Sequence, residues 1–507
     1  MTELVIYALT VTAALAGTLR WLRIAQREHY IAGSVSRFAI RWWVSGPLNK
    51  TLGIVLILAL AAAWAGLWQG LLAVGVISLL APAGLSYRGR SSKLAWTRRL
   101  RSLGIVTACL MLVAAVLGTL AGFPPGLAAT IAAGAPVVVD LALFATAPFE
   151  RRLGNRFVQK AARRLTEISP RVVAITGSYG KTSTKFYTAH LLRQKYVTLP
   201  SPASFNNLMG LSRAINERLT PGTEVFVAEM GMYGPGEIRT MCDWLRPEIS
   251  VVTAIGPVHL ERLGSIENIA RAKAEILEDA KVSVINIDEP HLAEIAKSVE
   301  PRGGTLIRCS GLDPTADVHV TPDGDGLRIS AYGELLGVAT LPNVFPTNLA
   351  CAVGVALAMD IPPSDIAARL STLPATEHRQ GVLRTANDVI VIDDTYNANP
   401  AGSEHALATL ASLAADHRRV VVTPGMVELG REQFSANEKF ASRAATVATD
   451  VLIVGRTNRR ALLRGTGTGT AAVQLCANRA EAVAWVRHHL MSGDAVLYEN
   501  DLPDHYP

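Results

Sequence analysis

The segment Thr176–Thr184 reads TGSYGKTST. It follows the apolar, β-branched run Val172-Val173-Ala174-Ile175 and opens a helical pattern. A strand, a tight glycine turn, a lysine and hydroxyls at a helix start form a cradle for nucleotide phosphate. Turn N–H groups and the positive end of the helix hold phosphate oxygens, Lys181 adds charge, and Thr182 can reach Mg²⁺. The usual P-loop spacing has another glycine where Ile175 stands, so this is a shortened variant. The segment predicts an ATP site lined by Gly177, Ser178, Gly180, Lys181, Thr182 and Ser183.

Outward from that loop, short apolar strands alternate with helical patterns. Val172–Ile175, Glu224–Ala228, Ile249–Thr253 and Val282–Asn286 read as strands, with helices from about Ser183, Gly234 and Ile266. Such alternation predicts a parallel sheet covered on both faces. Gly326–Ala339 reads as a hairpin and Thr347–Met359 as a buried, alanine-rich helix. The pattern restarts after Pro362-Pro363. Val389–Asp393, Arg419–Thr423, Asp450–Val454 and Ala495–Tyr498 read as strands of a second α/β unit. The expected layout is a helical membrane region over 1–150, a central ATPase domain over 151–372 and a Rossmann-like domain over 373–507.

The chain has 507 residues, 50% of them hydrophobic but unevenly spread, and almost everything before Phe149 reads as membrane. Leu4–Leu19, Leu52–Trp68, Leu71–Leu85, Leu103–Ala121 and Leu127–Phe149 are apolar runs near the length a bilayer requires, the second and third marginally so. Five spans is the expected count, with four plus a re-entrant hairpin as the alternative. Arg20, Arg23, Arg27, Arg37, Arg41 and Lys50 fill the first connection, and Arg88, Arg90, Lys93, Arg98, Arg99 and Arg101 the second. The positive-inside bias then predicts a multi-pass protein of the cell membrane with everything after Arg151 in the cytoplasm. Arg151–Arg164 reads as a basic helix near anionic headgroups. The net charge of +7 is thus a topology signal, and no aromatic-basic motif points to nucleic acid. Five scattered cysteines show no metal-ligand or disulfide spacing.

Further motifs follow the loop. Ser204-Phe205-Asn206-Asn207-Leu208-Met209-Gly210 is an asparagine-rich turn, and Glu229 closes a strand where open α/β sheets bind ligands. Glu229 is therefore a candidate for Mg²⁺. His259 lies in GPVHLERLGS and Lys273 in ARAKAEIL. Histidine at a second Mg²⁺ needs an anionic companion, which lysine supplies only once carbamylated by CO₂. Arg379 could reach a γ-phosphate, Asp394 follows a strand where a ribose could bind, and the Pro424–Gly430 loop could meet substrate.

Taken in order, TGSYGKTS, SFNNLMG, EMG, VHLERLGSIENIARAKAEI, HR, DDTYNANP and GMVELG resemble the Mur ligase family. The likeness covers roughly Arg171 to Gly493 and leans toward the branch that adds D-alanyl-D-alanine to a UDP-muramyl tripeptide. It implies a central ATPase domain, a Rossmann-like C-terminal domain and an active site between them. It also implies ATP, two Mg²⁺ ions and a carbamylated Lys273. By the family pattern Lys181 and Thr182 hold phosphate and Mg²⁺, while Glu229, His259 and Lys273 serve the metals. Asn348 falls on an adenine contact, Arg379 on the γ-phosphate contact and Asp394 on the ribose contact; Asn207 joins the nucleotide-binding set. Three departures stand out. Membrane spans occupy the place of the UDP-gripping domain. Val344-Phe345 replaces a His-Asn pair, and Glu499-Asn500-Asp501 replaces Lys-Gly-Ser.

These readings predict a membrane-anchored, ATP-dependent amide ligase of cell-wall or surface-polymer synthesis. An amino acid or short peptide would supply the amine, and a lipid-linked or polymeric carboxylate would accept it. The rival readings are a ligase like poly-γ-glutamate synthase and a membrane regulator that binds ATP without ligating.

Overall fold

The computed structural model describes residues 2–87, 89, 94–122, 124–202, 205–299, 304–324, 326–339, 344–374, 381–395, 398–414, 416–502 and 506. The chain divides into two compact units. One comprises residues 1–153 with 455–457 and 502–507, the other residues 154–454 and 458–501.

The first unit is helical: α1 Thr2–Arg27, α2 Ser34–Trp43, α3 Pro47–Trp64, α4 Trp68–Leu80, α5 Arg98–Leu120, α6 Pro124–Ala133 and the first part of α7 Ala135–Ile168, which continues past residue 153 into the second. Small residues let the helices approach closely, as at Gly70, where a Cβ would lie 2.6 Å from the Ala59 carbonyl oxygen. Among the described residues, three helices are long and apolar enough to cross a membrane: Val5–Arg27, Pro47–Trp64 and Arg98–Leu120. The α6–α7 pair, bent by 73°, makes up to four. The expectation of five is corrected by α4. Its 13 residues rise only ~20 Å at 1.5 Å each, short of the ~30 Å hydrocarbon core. By length and composition the described helices give three candidate spans, or four if the bent α6–α7 pair is one span.

The first basic connection is corrected too, because Arg20, Arg23 and Arg27 belong to α1. Arg20 is 1% exposed and donates to the carbonyls of Leu79 and Pro82 and to the Tyr87 hydroxyl. It satisfies carbonyls at the C-terminal end of α4, where a cation suits the helix dipole. Asp140 does the converse, accepting from the backbone N–H groups of Gly33 and Ser36 (both 2.9 Å) at the start of α2. Arg151–Arg164 is helical, though as part of the continuous 34-residue α7 rather than a separate element.

The second unit holds two sheets. The strands of the first are β1 Arg171–Thr176, β2 Thr198–Pro200, β3 Val225–Glu229, β4 Ile249–Val252, β5 Val282–Asn286, β6 Thr305–Ser310, β7 Val318–Asp323, β8 Gly326–Ala331 and β9 Glu334–Ala339. Their order is β2-β3-β1-β4-β5-β6-β7-β8-β9, parallel through β7 and antiparallel beyond it. Every residue of β3 and β4 is buried. That continuous burial explains why these strands are mostly apolar without alternation, Ser250 and the terminal Glu229 apart. The second sheet comprises β10 Gly381–Arg384, β11 Ile390–Asp394, β12 Arg419–Thr423, β13 Asp450–Val454, β14 Ala472–Cys476 and β15 Ala495–Glu499. Its order is β10-β11-β15-β12-β13-β14, and only β10 runs antiparallel. Both sheets are therefore mixed rather than purely parallel.

Candidate active site

The loop after β1 is fastened to the neighbouring strand end. Ser178 donates its N–H to the Ala254 carbonyl (2.7 Å), and its hydroxyl donates to the Gly256 carbonyl (3.1 Å) while accepting from the Gly256 N–H (3.0 Å). Thr253 donates its hydroxyl to the Tyr179 carbonyl. Gly180 takes φ +80°, and a Cβ there would meet Asn348 Oδ1 at 2.1 Å, so glycine is required on both counts. That contact sets Asn348, 8% exposed, against the phosphate loop. The helix Lys181–Leu192 begins directly after it, and Lys181 Nζ donates to the carbonyls of Gly177 (2.6 Å) and Ser178 (3.3 Å).

Glu229, at the end of β3 and in register with Ile175 of β1, is the hub. Its carboxylate accepts from the Thr182 hydroxyl (3.0 Å), from Lys185 Nζ (2.9 Å) and from Asn206 Nδ2 (3.2 Å). Burial would raise the Glu229 carboxyl. The charges of Lys185 and Lys181 and the hydrogen bonds from Lys185 and Asn206 outweigh that and hold it below its ordinary value. Lys185 was not singled out from sequence, although its place four residues after Lys181 puts both on one helix face. Asn207, expected among the nucleotide contacts, caps the helix Leu208–Arg218 by accepting from the Gly210 N–H (2.9 Å). Its neighbour Asn206 is the residue that reaches Glu229.

His259 has φ +65° at the start of a short helical turn, and its Nδ1 lies 2.7 Å from Glu428 Oε2. Burial pulls the imidazole below its ordinary pKa; the Glu428 hydrogen bond and charge oppose this, and Lys273 and Lys181 add to it. Lys273, in the helix Ile266–Ala274, is 2% exposed. Burial, with the Lys181 charge, holds its amine well below the usual lysine pKa. Lys181 is thus within electrostatic reach of Glu229, His259 and Lys273 alike. Among the described residues no three His, Cys, Asp or Glu side chains form a metal cage. The Thr182 hydroxyl and the Glu229 carboxylate, 3.0 Å apart, are hard oxygen donors of the kind that suits a Mg²⁺ ion.

In the second sheet, Asp394 ends β11 and Glu499 ends β15, its neighbour. Glu499 is completely buried and accepts from the hydroxyls of Ser403 (2.7 Å) and Thr423 (2.5 Å). Burial, opposed by those two hydrogen bonds and reinforced by Asp394, pushes its carboxyl up to about 7. Phe345 packs its ring 4.7 Å from that of His405. His378 and Arg379 lie outside the described residues, as do Tyr396 and Asn397 of the DDTYNANP motif.

A glycine loop after the first strand of a covered sheet, a strand-end glutamate and a second Rossmann-like sheet agree with two family profiles. The Mur ligase middle domain matches residues 175–356, and the "Mur ligase, glutamate ligase domain" matches 378–498. A UDP-N-acetylmuramoyl-tripeptide–D-alanyl-D-alanine ligase of Mycobacterium tuberculosis (strain H37Rv) is 33% identical over 398 residues, 72% of this chain and 74% of that one. The chain belongs to the Mur ligase family. It is an ATP-dependent ligase of the Mur type. The like-named ligase of Bacillus subtilis is 31% identical over 54% of this chain and 60% of its own. Among solved structures, MurF ligase from Thermotoga maritima in complex with ADP superposes with a TM-score of 0.59 at 23% identity, covering 69% of this chain and 80% of that one. FolC of E. coli, solved with DHPP and ADP, gives 0.54 at 19% identity, over 69% and 90%. These two show a shared fold.

Proposed function

We propose that the chain is a membrane-anchored amide ligase of cell-wall synthesis that activates a carboxylate as an acyl phosphate before joining it to an amine. The observation that carries this reading is the grouping of Lys181, Thr182, Glu229, His259 and Lys273 about the phosphate loop, with Glu229 held ionised and Lys273 held against protonation. An acceptor carboxylate oxygen attacks the γ-phosphorus of ATP and ADP leaves. The amine nitrogen then attacks the acyl carbon, inorganic phosphate departs, and the nitrogen gives up a proton. Loop N–H groups and Lys181 orient the triphosphate and offset its charge, with Arg379 reaching the γ-phosphate; positioning and electrostatics carry most of such a transfer. Asn348 and Asp394 would hold the adenosine.

Mg²⁺, when bound, neutralises charge on the transferring phosphoryl group. Thr182 and Glu229 would hold one ion, and His259 with carbamylated Lys273 a second. The Lys273 site suits that modification, because CO₂ adds only to a neutral amine and burial beside Lys181 favours the neutral form. Three apolar helices of spanning length support the anchor, and an anchor in turn suits a lipid-linked acceptor.

The test is turnover by the full-length protein in detergent with ATP, Mg²⁺ and D-alanyl-D-alanine. Two acceptors would be compared, UDP-N-acetylmuramoyl-tripeptide and its polyprenyl-pyrophosphate-linked counterpart. The reading expects amide product with the lipid-linked acceptor and one phosphate released per bond. Phosphate release without amide from either acceptor would sink it, and product from the UDP acceptor alone would remove the lipid-linked part.

A further inference from the structure

Two non-glycine residues in the left-handed region face each other across the two sheets' loops. His259 sits at φ +65° beside β4, and Glu428 sits at φ +65° after β12. Residues of this kind occupy that region at a cost, and such cost clusters where a fixed side-chain direction matters. Their side chains meet at 2.7 Å, Glu428 Oε2 to His259 Nδ1. The other carboxylate oxygen lies 3.4 Å from Arg262 Nη2, and the Glu428 carbonyl accepts from the Glu261 N–H at 3.4 Å. Arg262 in turn stacks over Tyr233, whose ring edge meets the His259 imidazole.

The loop that presents Glu428 is pinned from behind. Asn437, fully buried, accepts from the Met426 N–H (2.8 Å) and donates to the Met426 carbonyl (2.9 Å). Asn458 donates to the carbonyls of Pro424 and Met426, both at 3.0 Å. Met426 and Leu429 are buried in the core of the C-terminal sheet. Glu428 is therefore a rigid extension of the C-terminal domain that ends on a histidine of the central one.

A carboxylate can only accept, so the Nδ1 position must donate, and the imidazole's lone pair is left on Nε2. We infer that Glu428 is the positioning residue through which the C-terminal domain sets His259 as a metal ligand, so that metal loading and docking of the Pro424–Gly430 loop are one coupled event. This rests on the reading of His259 as a Mg²⁺ ligand given above. Groups that orient a ligating histidine through its second nitrogen are worth about 10–100-fold in metal affinity. Coupling is reciprocal, so metal and nucleotide should also hold the loop docked.

The experiment uses the full-length protein in detergent with Mn²⁺ and ADP, and reads bound Mn²⁺ by electron paramagnetic resonance. Nitrogen coupling in the spin-echo spectrum reports a ligating imidazole. Metal-free ADP affinity is measured in parallel, and so is amide exchange over 259–263 and 424–430. Glu428→Ala should weaken Mn²⁺ binding about 10–100-fold with metal-free ADP affinity unchanged. Glu428→Gln, whose amide oxygen still accepts from Nδ1–H, should stay within about 3-fold of the parent. Mn²⁺ with ADP should slow exchange in both segments of the parent and in neither segment of Glu428→Ala. His259→Ala separates the two layers. If it leaves Mn²⁺ affinity and nitrogen coupling intact, the metal reading fails and the inference with it. If it abolishes the coupling while Glu428→Ala binds Mn²⁺ like the parent, the inference alone is overturned. Equal weakening of Mn²⁺ and metal-free ADP in Glu428→Ala would also overturn it, since that is the mark of a merely structural residue.

Discussion

Glu229 and Glu499 occupy equivalent places in two different sheets. Each closes a buried parallel strand flanked by others on both sides, and each accepts at least one hydroxyl hydrogen bond. Yet their carboxyls move in opposite directions. Glu229 is held below its ordinary value, because Lys185 and Lys181 outweigh burial. Glu499 is pushed up to about 7, because burial is opposed only by two hydroxyls and Asp394 adds like charge. A buried strand-end carboxylate thus stays ionised where a lysine faces it. Without one it is a buried acid that ties strand ends together. The difference leaves an ionised carboxylate beside the loop after β1 and a proton-favouring one at the end of β15.

The comparison breaks most visibly at Lys185. Lys185→Met leaves Glu229 buried without its counter-ion and should cost about 3–5 kcal/mol of stability. Pairing it with Glu229→Gln should return most of that loss in denaturant unfolding while leaving the protein inactive. If the single variant were as stable as the parent, the ion pair would not be what distinguishes the two carboxyls. Lys181→Ala comes next. Loss of a transition-state charge contact lowers turnover by roughly 10²–10³-fold or more, with the fold and membrane extraction unchanged. Near-parent phosphate release by a folded variant would remove the phosphate-loop assignment.

Glu499 offers the opposite handle. Its folded-state pKa lies above the ordinary carboxyl value, so the protonated form is favoured by folding. The associated stability is complete below about pH 4.5 and is lost as pH rises toward about 7. Glu499→Gln, which is neutral throughout, should gain stability at pH 8, by up to about 3 kcal/mol, and change little at pH 4.5. Slower amide exchange in β12 and β15 at pH 8 is the readout, and a variant destabilised at both pH values would contradict the account. The smallest effect separates the two asparagines. Asn207→Ala should lose about 1 kcal/mol of stability as a lost helix cap while turnover stays near the parent's. Asn206→Ala should instead lower turnover, and the reverse pattern would restore Asn207 to the nucleotide site.

Local order carried much of this into the sequence. The run before the phosphate loop is legible because β1 is buried on both faces and so is apolar without alternation. The hairpin at Gly326–Ala339 and the strand ending at Glu229 are legible for similar reasons. Exposed β14, with four of five residues open to solvent, carries no such pattern and was not anticipated. Lys185 reads as an ordinary helix lysine until β3 places Glu229 against it, 44 residues away. Glu428 lies 169 residues from His259, so its role depends on loop docking that no local pattern encodes. In the helical unit, composition overcounted spans. The apolar run Leu71–Leu85 stops being helical at Leu80, just before Ala81-Pro82, where proline disfavours a helix.

The central claim is that this chain forms an amide by way of an acyl phosphate, and oxygen transfer tests it most directly. The acceptor that supports turnover would be labelled with ¹⁸O at both oxygens of its reacting carboxylate and carried through one round of ligation. The account predicts one ¹⁸O in each phosphate released and the other in the amide carbonyl. Phosphate free of ¹⁸O, with both labels remaining on the acceptor, would contradict it.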